Sequence, residues 1–182
     1  MDGLLSSLTR WAGDQRATEA ASSRARERWL RQQAGEAATL GGILVDLVEH
    51  RAEVVIGTQG RTHRGHLRGV GRDVAVLETA SGAVTLVAMD AIRTLQVAPV
   101  DAGQDWSGSR APAGKLSLAG LLDALAADQS TVRLELGDGT MVTGSLRGVG
   151  ADVVTILTEG RPGRSIHVPL RAIASCGLPG PA

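Results

Sequence analysis

Between Arg61 and Arg72 the chain reads RTHRGHLRGVGR, with four arginines, two histidines and no carboxylate in twelve residues. Guanidinium groups are planar forks of donors that fit phosphate oxygens, so this composition suits a nucleic-acid contact. Strand alternation would set Arg64, His66 and Arg68 on one face, opposite Leu67, with Arg61 and Arg72 flanking them. Arg61, Arg64, His66, Arg68 and Arg72 are therefore the candidate nucleic-acid site. The competing reading is a solvated strand face, or an edge charged against aggregation. A second basic cluster, Arg24, Arg26, Arg28 and Arg31, falls in SSRARERWLRQQ and admits the same pair of readings: phosphate contacts, or one exposed face of a helix.

Other chemistry finds no footing. Nucleophilic catalysis needs a serine or cysteine beside a base and an orienting acid, and metal catalysis needs clustered ligands. His63 and His66 would point to opposite faces of a strand, while His50 and His167 lie elsewhere in sequence. His63 aligns with Val142 of a later segment, which marks it as a partly buried structural histidine. The single cysteine, Cys176, has no companions at ligand spacing and reads as an unreactive thiol at a core edge. GVGRD and GVGAD resemble the start of a dinucleotide loop but do not open a helix, so the dipole that would hold a phosphate is missing. The expectation is a protein that is not an enzyme, with no cofactor, no metal and no catalytic residue.

The elements that would position the basic stripe are written twice. GHLRGVG at 65–71 and GSLRGVG at 144–150 differ at one position. Thr39 and Ser117 are matching helix N-caps, each able to accept a hydrogen bond from a first-turn N–H. Behind them Ile43, Leu44, Leu47 and Val48 match Leu121, Leu122, Leu125 and Ala126, a spacing that gathers apolar groups on one helical face. EVVIGTQGRT and TVRLELGDGT then predict a strand and a turn. A second strand runs through Leu67 or Leu146, with Gly69 and Gly71, or Gly148 and Gly150, predicting a bend or bulge. DVAVLET or DVVTILTE supplies a third strand, Thr85–Ala88 or Ile166–Val168 a fourth, and DAIRTL or RAIASC a fifth. The expected organisation is an N-terminal helical segment over 1–38, a first repeat over 39–97, a Pro, Gly and Ser-rich linker over 98–114, and a second repeat over 115–178.

This order of elements, a capped helix followed by a five-stranded bent barrel, resembles the Sm-like fold, including bacterial Hfq. The matching stretches are GRTHRGHLRGVGRDVAVLETASGAVTLVAMDAIRTL and DGTMVTGSLRGVGADVVTILTEGRPGRSIHVPLRAIASC, and with the rest of both repeats the resemblance covers about two thirds of the chain. The resemblance implies a mainly β fold with helices: two tandem helix-plus-five-stranded Sm-like barrels, each closed so that its edges are hidden, behind an N-terminal α-helix. It also implies RNA as a ligand. Hfq-like proteins carry a Lys-His pair just before the closing Ala-Ile, and the matching positions here are Met89-Asp90 and Leu170-Arg171. The RNA site is therefore not carried over, and an aspartate there repels phosphate. The whole chain also resembles actinobacterial proteins labelled Fis-type transcriptional regulators. A helix-turn-helix needs a second helix free to enter the major groove, whereas each helix here is followed by strands.

Composition narrows the rest. In 182 residues, nineteen basic side chains balance nineteen acidic ones, and all but one of the basic residues is arginine, a bias that a GC-rich genome would also produce. No global field draws the chain to nucleic acid or membrane. No apolar run is long enough to span a bilayer and no secretory leader precedes the repeats, so a cytoplasmic location is expected. Phe and Tyr are absent and the three tryptophans fall outside the repeats, so both cores must be aliphatic and no base can stack on an aromatic ring there. The N-terminal seam Leu4, Leu8, Trp11, Gln15, Thr18, Ser22, Ala25 and Trp29 is apolar only at its ends, a poor coiled coil. Two functions of different class follow: binding of RNA or other nucleic acid through the first repeat's stripe, or a protein assembly module. The second would take a homo-oligomer through barrel edges and a protein partner on the N-terminal helix.

Overall fold

The computed structural model describes residues 22–26, 29, 38–98, 108–112, 114–160 and 163–178. It divides into two compact units, Met1–Ala38 and Thr39–Ala182. In the smaller, residues 22–26 and 29 are helical and exposed, so Arg24 and Arg26 face solvent, while Arg28 and Arg31 lie outside the described residues.

The larger unit is mainly β with helices, and its elements come in two matching sets. Helix α1 (Leu40–Glu49) precedes β1 (Glu53–Gly57), β2 (Thr62–Val70), β3 (Val74–Glu78), β4 (Val84–Ala88) and β5 (Thr94–Val97). Helix α2 (Leu118–Ala127) precedes β6 (Thr131–Leu136), β7 (Met141–Val149), β8 (Val153–Leu157), β9 (Ser165–Pro169) and β10 (Ile173–Gly177).

Both helices begin and end by the same devices. Thr39 Oγ1 accepts from Gly42 N at 3.0 Å and Ser117 Oγ from Gly120 N at 3.2 Å, as the cap residues predict. At the other end Ala52 N donates to Leu47 O and Arg51 N to Val48 O, matched by Ser130 N to Leu125 O and Gln129 N to Ala126 O. That paired stop needs a left-handed residue after the cap, and Arg51 and Gln129 adopt it at φ 51° and 49°. Leu44 and Leu47 in α1 and Leu122 in α2 are fully buried. Each such leucine contributes about 2 kcal/mol of apolar transfer.

The predicted bends also form. The β2–β3 register slips between Leu67 and Gly69, and the β7–β8 register between Leu146 and Gly148. Just before each bulge the neighbouring strand comes close: a Cβ on Gly65 would lie 2.4 Å from Glu78 O, and one on Gly144 2.3 Å from Leu157 O. The repeated glycine is thus a steric requirement of the bent strand pair.

Hydrogen bonding orders the strands β5-β1-β2-β3-β4-β10-β6-β7-β8-β9, every neighbouring pair antiparallel. Closure within each repeat, expected to hide the strand edges, is not what the ladder shows. The edges of β4 and β10 hide one another across the two repeats, and β5 and β9 remain at the two ends of one ten-stranded sheet. The fifth strands also start later than expected. Met89–Ala91 and Leu170–Ala172 form 3-10 turns first, because Met89 N and Leu170 N are drawn to Asp73 O and Asp152 O.

Two aliphatic cores follow. The first gathers Leu44, Leu47, Val54, Ile56, Leu67, Ala75, Leu77 and Val87. The second gathers Leu122, Val132, Leu134, Leu146, Val154 and Ile156, but also Val74 and Leu86 from the first repeat. The β3–β4 hairpin is apolar on both faces and serves both cores.

Residues 108–112 of the expected linker bind back to α1. Gly108 N donates to the buried carboxylate of Asp46 at 3.0 Å, Thr39 N donates to Gly108 O, and Arg110 pairs with Glu49. The strap passes so close to α1 that a Cβ on Gly42 would overlap Gly108 O.

Candidate functional site

Strand β2 presents the basic stripe as alternation requires. Arg64, His66 and Arg68 are exposed, and Gly65 and Leu67 between them are buried. Arg61 at the turn and Arg72 beyond the strand are also exposed. The stripe reads as acid-free along the chain, but the sheet brings acids to it from both sides. Arg64 Nε lies 2.8 Å from Glu53 Oε1 on β1, Arg68 Nε 2.5 Å from Glu78 Oε2 on β3, and Arg72 Nε 4.0 Å from Asp73 Oδ2. His66 stands directly between Glu53 and Glu78 in the ladder. The Arg64 hydrogen bond and charge hold the Glu53 carboxyl below the usual carboxylate range, and Glu53 raises Arg64 in return. Three arginines face three carboxylates, so the surplus positive charge that would condense on a phosphate backbone is largely offset.

Asp90, Leu170 and Arg171, from the positions where this chain lacks a Lys-His pair, meet at the seam between the repeats. A cleft of about 290 Å³ there is lined by Asp73, Asp90, Arg93 and Arg171, with Leu118 and Gln59. Two acids and two arginines share it, and Asp73 Oδ1 is already taken, accepting from Leu118 N at the start of α2 at 2.9 Å.

A second polar site lies at the same seam, and sequence reasoning missed it. Glu135 on β6 is 1% exposed. Its Oε1 accepts from Thr58 Oγ1 at 3.1 Å and its Oε2 from Ser175 Oγ at 2.9 Å. His63 Nε2, also buried, reaches Oε2 at 3.3 Å without the alignment of a hydrogen bond. Burial pushes the His63 imidazole below its ordinary value, with Glu135 pulling the other way. His63 is thus the partly buried histidine that its alignment with Val142 suggests, and it turns inward while His66 faces solvent. Thr58 and His63 come from the first repeat, Glu135 and Ser175 from the second. Their counterparts in the other repeat are Leu136, Val142, Gly57 and Thr94, so the cluster exists only where the repeats meet. Glu135 alternates with the core residues Leu134 and Leu136, the pattern of a solvated side chain. Only the second repeat's neighbour buries it.

Cys176 is buried in β10 and its thiol is pushed up to about 12 by desolvation, as befits a packing residue. Among the described residues no three His, Cys, Asp or Glu side chains gather as a metal site, and no helix is long and apolar enough to cross a membrane. A comparison with protein-family models gives no match, and a comparison with curated protein sequences gives none either.

Proposed function

We propose that the chain is a non-enzymatic binding scaffold: two Sm-like repeats locked edge to edge within one polypeptide, with the segment 1–38 as the arm that engages a protein partner. The observation that carries this reading is the β4–β10 ladder with its shared core. Ser175, Cys176 and Gly177 pair with Val87, Leu86 and Thr85, and Val74 and Leu86 sit among the second repeat's core residues. Such a joint makes a rigid platform. The paired state of the stripe arginines favours this over a nucleic-acid surface, and Trp29, 58% exposed on the arm, suits contact with a protein.

The second reading, RNA or other nucleic acid bound through Arg61, Arg64, His66, Arg68 and Arg72, keeps one observation in its favour. The Arg64 and Arg72 side chains are 71% and 73% exposed, so they can exchange a carboxylate for a phosphate.

Fluorescence-anisotropy titration against single-stranded RNA, duplex RNA and duplex DNA at two salt concentrations separates the readings. Beside the intact protein stands the Arg64→Ala, Arg68→Ala, Arg72→Ala variant. The scaffold reading expects no binding that depends on these arginines, together with a single calorimetric unfolding transition for the two repeats. Salt-sensitive binding abolished in the variant would replace it with the nucleic-acid reading.

A further inference from the structure

The joint and the two outer edges of the sheet are built from corresponding residues, and the residues differ at the positions that face outward. In the first repeat Val74, Val76, Val84, Leu86 and Ala88 line the face of β3 and β4 that meets the second repeat, and all five pack with the second core. Their counterparts on β8 and β9 are Val153, Thr155, Ser165, His167 and Pro169. Ser165, His167 and Pro169 are exposed, and Thr155 Oγ1 and His167 Nδ1 lie 3.1 Å apart as a polar pair. On the opposite face Ala75, Leu77 and Val87 become Val154, Ile156 and Val168, all buried, and Thr85 becomes Ile166. On the outward face Val76, Val84 and Leu86 become polar in the second copy, while Glu78 becomes Leu157.

The backbone tells the same story. Leu170 N donates to Asp152 O, which fixes the β8–β9 ladder so that Ser165, His167 and Pro169 turn their backbone groups away from β8 toward the open edge. One of those three is a proline, which has no N–H to offer an incoming strand. In the first repeat the same position is Ala88.

The other end is treated alike. Where β10 brings Ala174, Ser175, Cys176 and Gly177 to the joint, the first repeat has Arg93 just before β5 and Thr94, Leu95 and Gln96 in it, of which Arg93, Thr94 and Gln96 are exposed. A charged, polar edge is a known guard against edge-to-edge pairing.

The buried polar cluster adds selection. With β4 against β10, Thr58 and Ser175 both donate to Glu135 and His63 faces it. Were β4 to meet another chain's β5, Glu135 would be replaced by Gly57, leaving His63 without its facing carboxylate and Thr58 with only the Arg61 backbone. Were β9 to meet another chain's β10, Leu136 and Val142 would stand where Thr58 and His63 are, and Glu135 would lose its first-repeat partners.

We infer that the tandem is a self-limiting pair: the outward β3–β4 face is a socket for this chain's own second repeat, selected by Glu135, and the β5 and β9 edges are closed to a second copy of the chain. This deepens the scaffold reading and rests on it for the joint, but its test reads mass, not nucleic-acid binding, so the two can fail separately.

The test is sedimentation equilibrium of the full chain up to its solubility limit, beside a variant whose outer edges carry the joint's residues: Thr155→Val, Ser165→Val, His167→Leu, Pro169→Ala and Arg93→Ala. The intact chain should sediment with the mass of one chain and the rewritten chain as concentration-dependent multiples. A discrete oligomer of the intact chain, or a rewritten chain that folds by circular dichroism yet stays single, overturns the inference. Should the rewritten chain not fold, Val76→Thr with Leu86→His places the outer-edge residues in the joint. Separate unfolding transitions for the two repeats are then expected, and one unchanged transition overturns it.

Discussion

The two repeats agree wherever the chain solves a local problem and diverge wherever each repeat meets something else. Cap, helix stop, bulge and close glycine coincide within a few tenths of an ångström or a few degrees, from the Thr39 and Ser117 caps to Arg51 and Gln129 at φ 51° and 49°. Divergence concentrates on β2, where Arg64 and His66 stand against Thr143 and Ser145, and on the outward faces and edges already compared. Shared features are therefore the cost of making the fold at all. Unshared ones record what each copy faces: its sister, or water.

Substitutions at shared positions should act equally in both copies, and those at unshared positions in one only. Gly65→Ala and Gly144→Ala should each cost about 3 kcal/mol by urea denaturation, because the new Cβ meets a strand carbonyl that cannot move away. Equal losses are expected in the two copies. Gly148→Ala, with no heavy atom within 4 Å of the added carbon, is the near-neutral control. A large loss at one glycine alone would mean that the bends are not equivalent.

Glu135→Ala should cost about 2 kcal/mol, since it strands the buried Ser175 hydroxyl and leaves Thr58 Oγ1 only its bonds to the Arg61 backbone. Its counterpart position is Gly57, which has no such task, so this effect belongs to one repeat only. A double-mutant cycle with Ser175→Ala should show coupling, and strict additivity would contradict the network.

His63 gives a pH signature with a definite sign. Its folded pKa lies below the ordinary 6.5, so the unfolded chain takes up the proton first. The associated stability is complete above about 6.5 and is lost as pH falls through the folded value. Urea midpoints measured from neutral to mildly acidic pH should fall more steeply for the intact chain than for His63→Val, which copies Val142 of the other repeat. Identical slopes would remove His63 from the joint's energetics.

Arg51→Gly should raise stability by about 0.5 kcal/mol by relieving a left-handed arginine at the helix stop. The smallest effect is expected on the stripe: Arg64→Ala with Arg68→Ala should leave the melting temperature within error, because both ion pairs are exposed and screened.

Much of this architecture is legible along the chain because it is local. Capping needs one hydroxyl beside its helix and aliphatic spacing marks which helical face is buried, so Thr39, Ser117 and the leucines of α1 and α2 point correctly to their roles, and Gly69 and Gly148 mark where the strand register slips although neither is sterically required there. The starts of β5 and β10 are misjudged because Asp90-Ala-Ile and Arg171-Ala-Ile look extended in sequence. Backbone bonds to Asp73 O and Asp152 O tighten them into turns first.

The candidate site was legible only in half. Composition and alternation by themselves determined that Arg64, His66 and Arg68 share an exposed face. That Glu53 and Glu78 lie beside them is a matter of strand register, which brings together residues ten or more positions apart. Likewise the repetition determined that there are two copies of one unit, but only the tertiary structure decided that β4 would take β10 and that Glu135 would be sealed from water between them. The physical reason is that burial at a joint is a property of two surfaces meeting. A glutamate among alternating leucines looks the same in sequence whether its outer face meets solvent or a sister repeat.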